Sequence, residues 1–255
     1  MLDMHNHSLP GIDDGSQDME TTLKMLKMAK ADGISKIIVT PHYYKFNFEN
    51  SYSDVIKLIE IVNYRAKEAG IDIHIMPGQE VFLDEFTLAL YKEGIVGTLN
   101  NSKYMLVEMD PRKLGEEILD IIYELRVQGI VPIIAHPERY AFIQESLISL
   151  NYFIKEGCLF QVNAGSLLGK FGNKVEKTAF SLVNEGFCDF IASDAHSLGV
   201  RSPRIKESFD IITKKSAKII DDISDNCRIL LKDGDIVVNR EIYREKKKMF
   251  GFFRR

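Results

Sequence analysis

Short apolar runs rich in β-branched residues alternate with longer stretches of helical period from one end of the chain to the other. Lys36-Ile37-Ile38-Val39-Thr40, residues 71–76 and 104–107, Val131-Pro132-Ile133-Ile134-Ala135, residues 159–162 and Phe190-Ile191-Ala192 read as strands buried on both faces. The apolar opening Met1, Leu2 and Met4 makes a seventh. Between them, Val55, Leu58, Ile59, Val62 and Ala66, and again Ile118, Ile121, Ile122 and Leu125, recur at i, i+3, i+4, i+7, the stripe of a helix laid on a sheet. Gly33, Gly70, Gly129, Gly157 and Gly186 each close a helical segment just before the next strand. This alternation predicts an α/β fold with a parallel sheet, and seven strands in 255 residues favour a closed or nearly closed barrel of about seven β/α units over an open doubly wound sheet. No Gly-x-Gly-x-x-Gly follows a strand. Gly165-Ser166-Leu167-Leu168-Gly169-Lys170 is one residue short of a phosphate-binding loop and reads as an ordinary turn. With no linker before residue 232, residues 1–242 read as one domain and residues 243–255 as a basic, aromatic tail.

The strand ends carry the chemistry. Five of the six histidines lie in clusters that also hold acids: Asp3-Met4-His5-Asn6-His7 with Asp13-Asp14-Gly15, Thr40-Pro41-His42, Pro77-Gly78-Gln79-Glu80, Val107-Glu108, Ala135-His136-Pro137-Glu138-Arg139 and Ser193-Asp194-Ala195-His196. His5 and His7, two apart in an extended segment, point the same way. In a parallel barrel the C-terminal strand ends share one face, which gathers nine candidate donors: His5, His7, Asp14, His42, Glu80, Glu108, His136, Asp194 and His196. Nine is too many for one ion, so a bi- or trinuclear centre bridged by a carboxylate is expected. Imidazole and carboxylate without thiolate suit Mn, Fe or Zn. For Asp13 and Asp18 a helix N-terminal role stands beside a ligand role. His74, outside every cluster, reads as a core histidine. Tyr43, Tyr44, Phe46 and Phe48 follow His42 and either wall a pocket for an aryl ring or pack under a loop.

A net charge of −4, from 33 Lys and Arg against 37 Asp and Glu, excludes the strongly basic footprint of a general nucleic-acid binder. Cys158, Cys188 and Cys227 form no Cys-x-x-Cys pair, and none has an Arg six residues later, so they read as reduced thiols of a cytoplasmic protein and not as nucleophiles. Neither a signal peptide nor a membrane span is expected.

Taken in order, His5-x-His7, Asp13-Asp14-Gly15, Thr40-Pro41-His42, Gly78-x-Glu80, Glu108, Ala135-His136-Pro137-Glu138-Arg139-Tyr140 and Ser193-Asp194-Ala195-His196 with Arg201 resemble the polymerase-and-histidinol-phosphatase (PHP) superfamily. More narrowly, the chain is similar to the manganese-dependent tyrosine-protein phosphatases of bacterial capsule and exopolysaccharide loci, from residue 1 to about 230. The resemblance implies the PHP fold, an α/β distorted (β/α)7 TIM-like barrel with its metal site at the C-terminal ends of the strands, and three divalent ions, Mn2+ by preference. One would be held by His5, His7 and Asp194 and share Glu80 with a second on Glu108 and His136. A third would lie on Asp14, His42 and His196. Arg139 and Arg201 correspond to the phosphate-binding arginines, and the implied partner is a phosphotyrosine protein, a bacterial tyrosine kinase.

The charges agree with that implication. Three divalent ions and four carboxylates leave about +2, against roughly −1.5 to −2 on a phosphomonoester. Metal-bound water with its pKa lowered to about 7 supplies hydroxide for in-line attack, without a covalent intermediate. A phenol, with its pKa near about 10, leaves with less acid assistance than an alkyl alcohol. Other PHP activities are the alternatives: the short length and the Asp13-Asp14 pair disfavour a histidinol-phosphate phosphatase, and the acidic balance disfavours a nuclease. A phosphotyrosine-binding module without turnover is a further alternative, disfavoured by the complete donor and arginine sets. Six basic residues and four aromatics in the tail would suit peripheral contact with anionic lipid, at about 1 kcal/mol per charge; a solvated or packed tail is the other reading.

Overall fold

The computed structural model describes residues 1–245; residues 246–255, which hold most of the tail, lie outside it. The chain opens on β1 (Leu2–Asp3) and enters α1 (Met19–Ala31). Asp18 caps that helix, its carboxylate accepting from the Thr21 amide at 2.7 Å, so the helix N-terminal reading holds for this residue. There follow β2 (Lys36–Val39), β3 (His42–Tyr44), β4 (Phe48–Glu49), α2 (Tyr52–Glu68), β5 (His74–Pro77), β6 (Glu80–Phe82) and α3 (Thr87–Lys92). Next come β7 (Tyr104–Glu108), α4 (Ile118–Val127), β8 (Val131–Ala135), α5 (Ala141–Glu145), α6 (Leu150–Lys155), β9 (Leu159–Asn163) and α7 (Ala164–Leu167). The last elements are α8 (Asn173–Asn184), β10 (Phe190–Ala192), α9 (Lys206–Lys215) and α10 (Ala217–Leu230).

Strand pairing runs around a ring. β1, β2 and β5 form one parallel sheet; β10, β9, β8, β7, β6 and β3 form another, with β4 added antiparallel at its edge. The two sheets are continuous through the chain itself. β2 and β3 are halves of one bent strand, broken at Thr40-Pro41, and β5 and β6 are halves of the next, broken at Gly78-Gln79. The registers Lys36–His74 and His42–Glu80 keep one offset, so the two strands bend together. Pro41 has no amide to give a ladder, and at the break the Thr40 amide turns to the Asn6 carbonyl, 2.8 Å away. The ring returns where the chain beyond β1 meets the chain beyond β10: Asn6 bridges Ala195 in parallel, and the Asp194 amide donates to the His5 carbonyl at 2.9 Å. Buried Asp3 fastens this seam, accepting from the Ser193 amide at 2.9 Å and hydroxyl at 2.6 Å and from Asn6 Nδ2 at 2.9 Å. The expected α/β architecture is therefore present, with its distortion located in two bent strands and one thinly paired seam.

On the two faces of the ring, Ile37, Ile38, Leu106, Ile133, Ile134, Phe160 and Ile191 are fully buried; each such side chain contributes about 1.5–3 kcal/mol relative to exposure. The helical stripes face inward as their period requires: Val55, Ile59, Val62 and Ala66 of α2 and Ile118, Ile122 and Leu125 of α4 are buried. The five helix-closing glycines all take left-handed φ, which a Cβ would strain. His74 is a correction: it starts β5 opposite Lys36 and is exposed at the rim, because residues 71–73 are spent on the turn out of α2 and the strand begins later than the apolar run. The turn expected over residues 165–170 begins instead as one helical turn, Ala164–Leu167, and the chain turns only after it.

The far end of the ring, where the strands start, is crossed by the chain after α10. Tyr104 donates its hydroxyl to the Gly234 carbonyl at 2.7 Å, and Asp233 accepts from the Lys103 amide at 2.7 Å. Arg240 pairs with Asp189 at 2.8 Å and lies 4.8 Å over the Phe160 ring. Asn151 clasps the backbone of Tyr243 from both sides. Among the described residues no helix is long and apolar enough to cross a membrane.

Candidate metal centre

All nine expected donors meet at the C-terminal end of the strands. His5 and His7 come from the extension of β1, and His42 and Glu80 open β3 and β6 as direct cross-strand neighbours. Glu108 ends β7, His136 follows β8, and Asp194 and His196 follow β10. Asp14 arrives from the loop before α1. Gly15 lets that loop lie flat on His7, since a Cβ there would fall 2.1 Å from the His7 carbonyl oxygen. His136 and Asp194 have φ of 35° and 50°, left-handed values that cost a residue with a Cβ about 1–2 kcal/mol. Both strands turn sharply there, and both aim a donor inward.

Glu80 is the hub. Its Oε2 lies 3.1 Å from His5 Nε2, 3.2 Å from His7 Nε2 and 3.2 Å from His42 Nδ1, while Oε1 lies 2.9 Å from His136 Nε2. Asp194 Oδ1 is 3.4 Å from His5 Nε2 and 3.4 Å from His196 Nδ1. Asp14 Oδ1 stands 3.4 Å from His42 Nε2 and 3.2 Å from His196 Nε2, and Glu108 Oε1 stands 3.0 Å from His42 Nδ1. Three groups have ligand atoms all within 4.8 Å of one another: His7, Asp14, His42 and His196; His5, His7, Glu80 and Asp194; and His42, Glu80 and Glu108.

The hydrogen bonding shows that this arrangement fits cations. Asp13, which can only accept when ionised, takes the Nδ1 proton of His7 at 2.7 Å. Gln161, whose amide nitrogen donates to Asn163, offers its oxygen to Nδ1 of His5 at 2.8 Å. Both rings therefore carry their neutral-state proton on Nδ1 and present bare Nε2 lone pairs, which face each other at 3.1 Å. Glu80 Oε2, buried among three ring nitrogens, has no hydrogen bond at all. Lone pairs aimed at common points are what ligand atoms of a cation look like. The electrostatics agree. Burial opposes charge on His42, yet Glu80, Asp14 and Glu108 raise it to about 12. Burial likewise opposes charge on His5, which Glu80 and Asp194 raise to about 9. The field of the carboxylates draws positive charge into the site.

A cavity of about 270 Å3 opens onto these groups, bordered by Asp14, His42, Glu108, His136, Arg139 and Arg201. Both arginines reach the buried Asp194 carboxylate, Arg139 at 3.2 Å and Arg201 at 2.7 Å. Arg201 Nε is buried without an acceptor.

Residues 1–232 match the family model described as Capsular polysaccharide synthesis, CpsB/CapC. The chain belongs to the CpsB/CapC family. It is 31% identical to the tyrosine-protein phosphatase YwqE of Bacillus subtilis over 99% of its own length and 100% of that protein. It is 32% identical to the putative tyrosine-protein phosphatase CapC of Staphylococcus aureus, over 94% and 92% of the two chains. Among solved structures it is similar, with TM-score 0.89 and 30% identity over 93% of this chain and 96% of the other, to one described as YwqE from Bacillus subtilis and CpsB from Streptococcus pneumoniae, unique metal-dependent tyrosine phosphatases.

This CpsB/CapC chain also places at the site residues that its sequence did not single out. β9 brings no imidazole or carboxylate to the site, yet its same-face pair Gln161 and Asn163 orients two donors: Gln161 holds His5, and Asn163 Nδ2 donates to Asp194 Oδ2 at 2.7 Å. Their period-two spacing beside the other strand ends was the available signal. Glu138, buried in the turn between His136 and Arg139, accepts from the Asn163 amide at 2.9 Å and the Ser166 hydroxyl at 2.6 Å and so ties that turn to β9. Asp13 serves as the orienting partner of His7, not as a helix cap. Of the four aromatics after His42, Tyr43 belongs to the core, Phe48 stacks on the His42 ring at 5.7 Å, and Tyr44 and Phe46 are exposed.

Proposed function

We propose that this chain is a metal-dependent protein-tyrosine phosphatase. In this reading three divalent ions, Mn2+ by preference, would be held by His5, His7 and Asp194; by Glu108 and His136, with Glu80 available to both of these; and by Asp14, His42 and His196. The observation that carries it is the convergence of His5 Nε2 and His7 Nε2, 3.1 Å apart, on a Glu80 carboxylate oxygen that has no hydrogen bond. The tyrosine phosphatases among its relatives support the substrate class. Bound there, divalent ions would supply charge neutralisation and would lower the pKa of a bound water to about 7.

The rest falls to the chain's own groups. Arg201, with a free Nε, and Arg139 hold the equatorial phosphoryl oxygens by charge-assisted hydrogen bonds. Asp13, Gln161 and Asn163 keep the donors in orientation. Phe48, stacked on His42, offers an apolar face beside the reacting centre. Phenolate departs without a strong acid, and burial pushes the nearby Tyr140 hydroxyl well above its ordinary range, so it does not serve as one.

The fitting substrate is a phosphotyrosine protein of the cytoplasm, a bacterial tyrosine kinase that controls capsule or exopolysaccharide synthesis. The tail 243–255 would hold the enzyme at the inner membrane face. A tail deletion that binds anionic vesicles as well as the full chain at low salt would remove that part. The main test is steady-state hydrolysis of a phosphotyrosine peptide, histidinol phosphate and a single-stranded oligonucleotide by protein of measured metal content. Turnover of the peptide far above the others is expected. Preference for either of the others would replace the reading with that PHP activity, and binding of the peptide without turnover would replace it with a recognition module.

A further inference from the structure

Beside the metal cavity lies a second cleft of about 600 Å3, whose walls include Tyr44, Phe82, Leu114, Asp110, Glu116 and Glu117. It is built on the same strands as the site. Tyr44 stands two residues beyond His42 on β3, Phe82 two beyond Glu80 on β6, and Asp110 two beyond Glu108 at the end of β7. Side chains two apart in a strand share a face, so Tyr44 and Phe82 lie one layer outward from His42 and Glu80 on the face that carries the donors, with Phe82 level with its cross-strand partner Glu108. Met109 and Pro111 border the metal cavity while Asp110, between them, borders the cleft. A molecule with its phosphoryl group at the donors would therefore extend directly over this layer.

The layer is aromatic and exposed at some expense to the fold. Tyr44 and Phe82 stack at 4.1 Å, and Phe46 meets Phe86 edge-on at 5.9 Å. Phe46 sits at the tip of the β3–β4 hairpin, 77% exposed and with φ of 69°. A bulky apolar residue in a left-handed turn and in water is disfavoured twice over. The turn nevertheless holds it there: Glu49 accepts from the Phe46 amide at 2.7 Å and pairs with Lys45 at 3.2 Å. Of the charged lining residues, Asp110 is paired with Arg112 at 2.8 Å, and Glu116 and Glu117 outnumber the lining cation Lys113.

We infer that this cleft and the hairpin tip dock the polypeptide flanking the phosphotyrosine, taking apolar side chains against Tyr44, Phe46 and Phe82 and basic ones toward Glu116 and Glu117. The inference rests on the phosphotyrosine reading. Its occupant is the substrate protein itself, and the cleft selects among substrates without touching the reacting atoms.

The test compares three substrates on the metal-loaded enzyme: a phosphotyrosine peptide flanked by leucine and lysine, the same peptide flanked by glutamate, and p-nitrophenyl phosphate, too small to reach the cleft. Wild type should favour the first peptide. Phe46→Ala and Tyr44→Ala should each raise KM for it about tenfold, the scale of one lost aromatic anchor, while p-nitrophenyl phosphate hydrolysis stays within about twofold. Glu116→Lys with Glu117→Lys should shift preference toward the glutamate-flanked peptide. Unchanged peptide KM in the substituted proteins, or equal losses on all three substrates, would overturn the docking role alone. Hydrolysis of p-nitrophenyl phosphate with neither peptide turned over would overturn the phosphotyrosine reading and the docking role with it. Phe46 is exposed, so its replacement tests binding with little risk to folding.

Discussion

The two ends of the ring are built from the same strands and treat polar groups in opposite ways. Where the strands end, buried polar atoms go without hydrogen bonds: Asn6 Oδ1, Ser8 Oγ, Glu80 Oε2, His136 Nδ1, Glu138 Oε2, His196 Nε2 and Arg201 Nε. These are all of the unpartnered buried side-chain atoms among the described residues, and all lie at that end or on segments leading into it. Where the strands begin, the crossing chain satisfies its groups, and Arg240 alone reaches Asp189 and the carbonyls of Gly186 and Cys158. An unpartnered buried group costs about 1–3 kcal/mol. One end thus spends stability on ligand-ready atoms and the other end restores it, the usual division between the functional and stabilising faces of such barrels.

The largest effect that would break this comparison lies at the hub. Chelation, Glu80→Gln and His136→Ala should each bring hydrolysis down to background, since Glu80 touches four imidazoles and His136 is one of them. Full turnover after chelation and dialysis would mean that the unpartnered atoms are not ligands. The chelated protein should also carry a pH signature. His5 is raised to about 9 in the folded state, by Glu80 and Asp194 acting against burial. A histidine raised on folding contributes stability that is complete below its unfolded pKa of about 6.5 and is lost as pH rises through the folded value. Denaturant unfolding should show the chelated protein weaker at pH 9.5 than at pH 6.5 by more than the metal-loaded protein; parallel behaviour of the two would contradict the ligand role.

Next in size are the arginines. Arg139→Ala and Arg201→Ala should keep bound metal and lose roughly 10²–10³ in turnover, the scale of removing a donor to a charged transition state. Unchanged rates at confirmed metal content would leave both as structural partners of Asp194.

Smaller still, Gln161→Ala and Asn163→Ala should weaken metal affinity or activity by about 10–100-fold, as orienting partners of ligands do. Isothermal titration with Mn2+ measures this directly, and equal affinity in both variants would reduce β9 to a spacer.

That ordering of effects follows how much of the site was legible in the sequence. A parallel barrel gathers whatever stands at its strand ends, so the nine donors could be collected without knowing a single distance. Gln161 and Asn163 stand at the same level but are neutral amides, whose meaning comes only from the partners they meet. Nothing in Ala135-His136-Pro137 or Ser193-Asp194 announces left-handed backbone, because no glycine marks it. The fold was legible in the same uneven way. Periodicity located the ring's strands and covering helices, but it stopped two of them at Thr40 and at residue 76, so that residues 42–44 and 80–82 were not read as their continuations past a shared bend, which depends on Pro41 and on the Asn6 carbonyl of the neighbouring β1 extension. His74 was misplaced because alternation says which residues share a face and not where the strand begins.

The smallest expected effect on turnover belongs to Arg240→Ala, and it sharpens the contrast most. Arg240 and Asp189 are both nearly buried, with side-chain exposures of 10% and 6%. Burial raises the Asp189 carboxyl although Arg240 pulls the other way, so the carboxylate depends on this partner to remain charged inside. Removing one member of a buried pair costs about 3–5 kcal/mol, because the other is left uncompensated. The crossing chain would also lose its hold on the Cys158 and Gly186 carbonyls and its packing over Phe160. Yet none of these groups touches a donor, Arg139 or Arg201. Denaturant unfolding should therefore report a loss of about 3–5 kcal/mol, while kcat and metal content at 25 °C stay at wild-type values. A variant of normal stability would show that the strand-start end does not carry the stabilising role. A variant that is still folded but loses its metal would show that the two ends are coupled through the ring, and the division between them would fail.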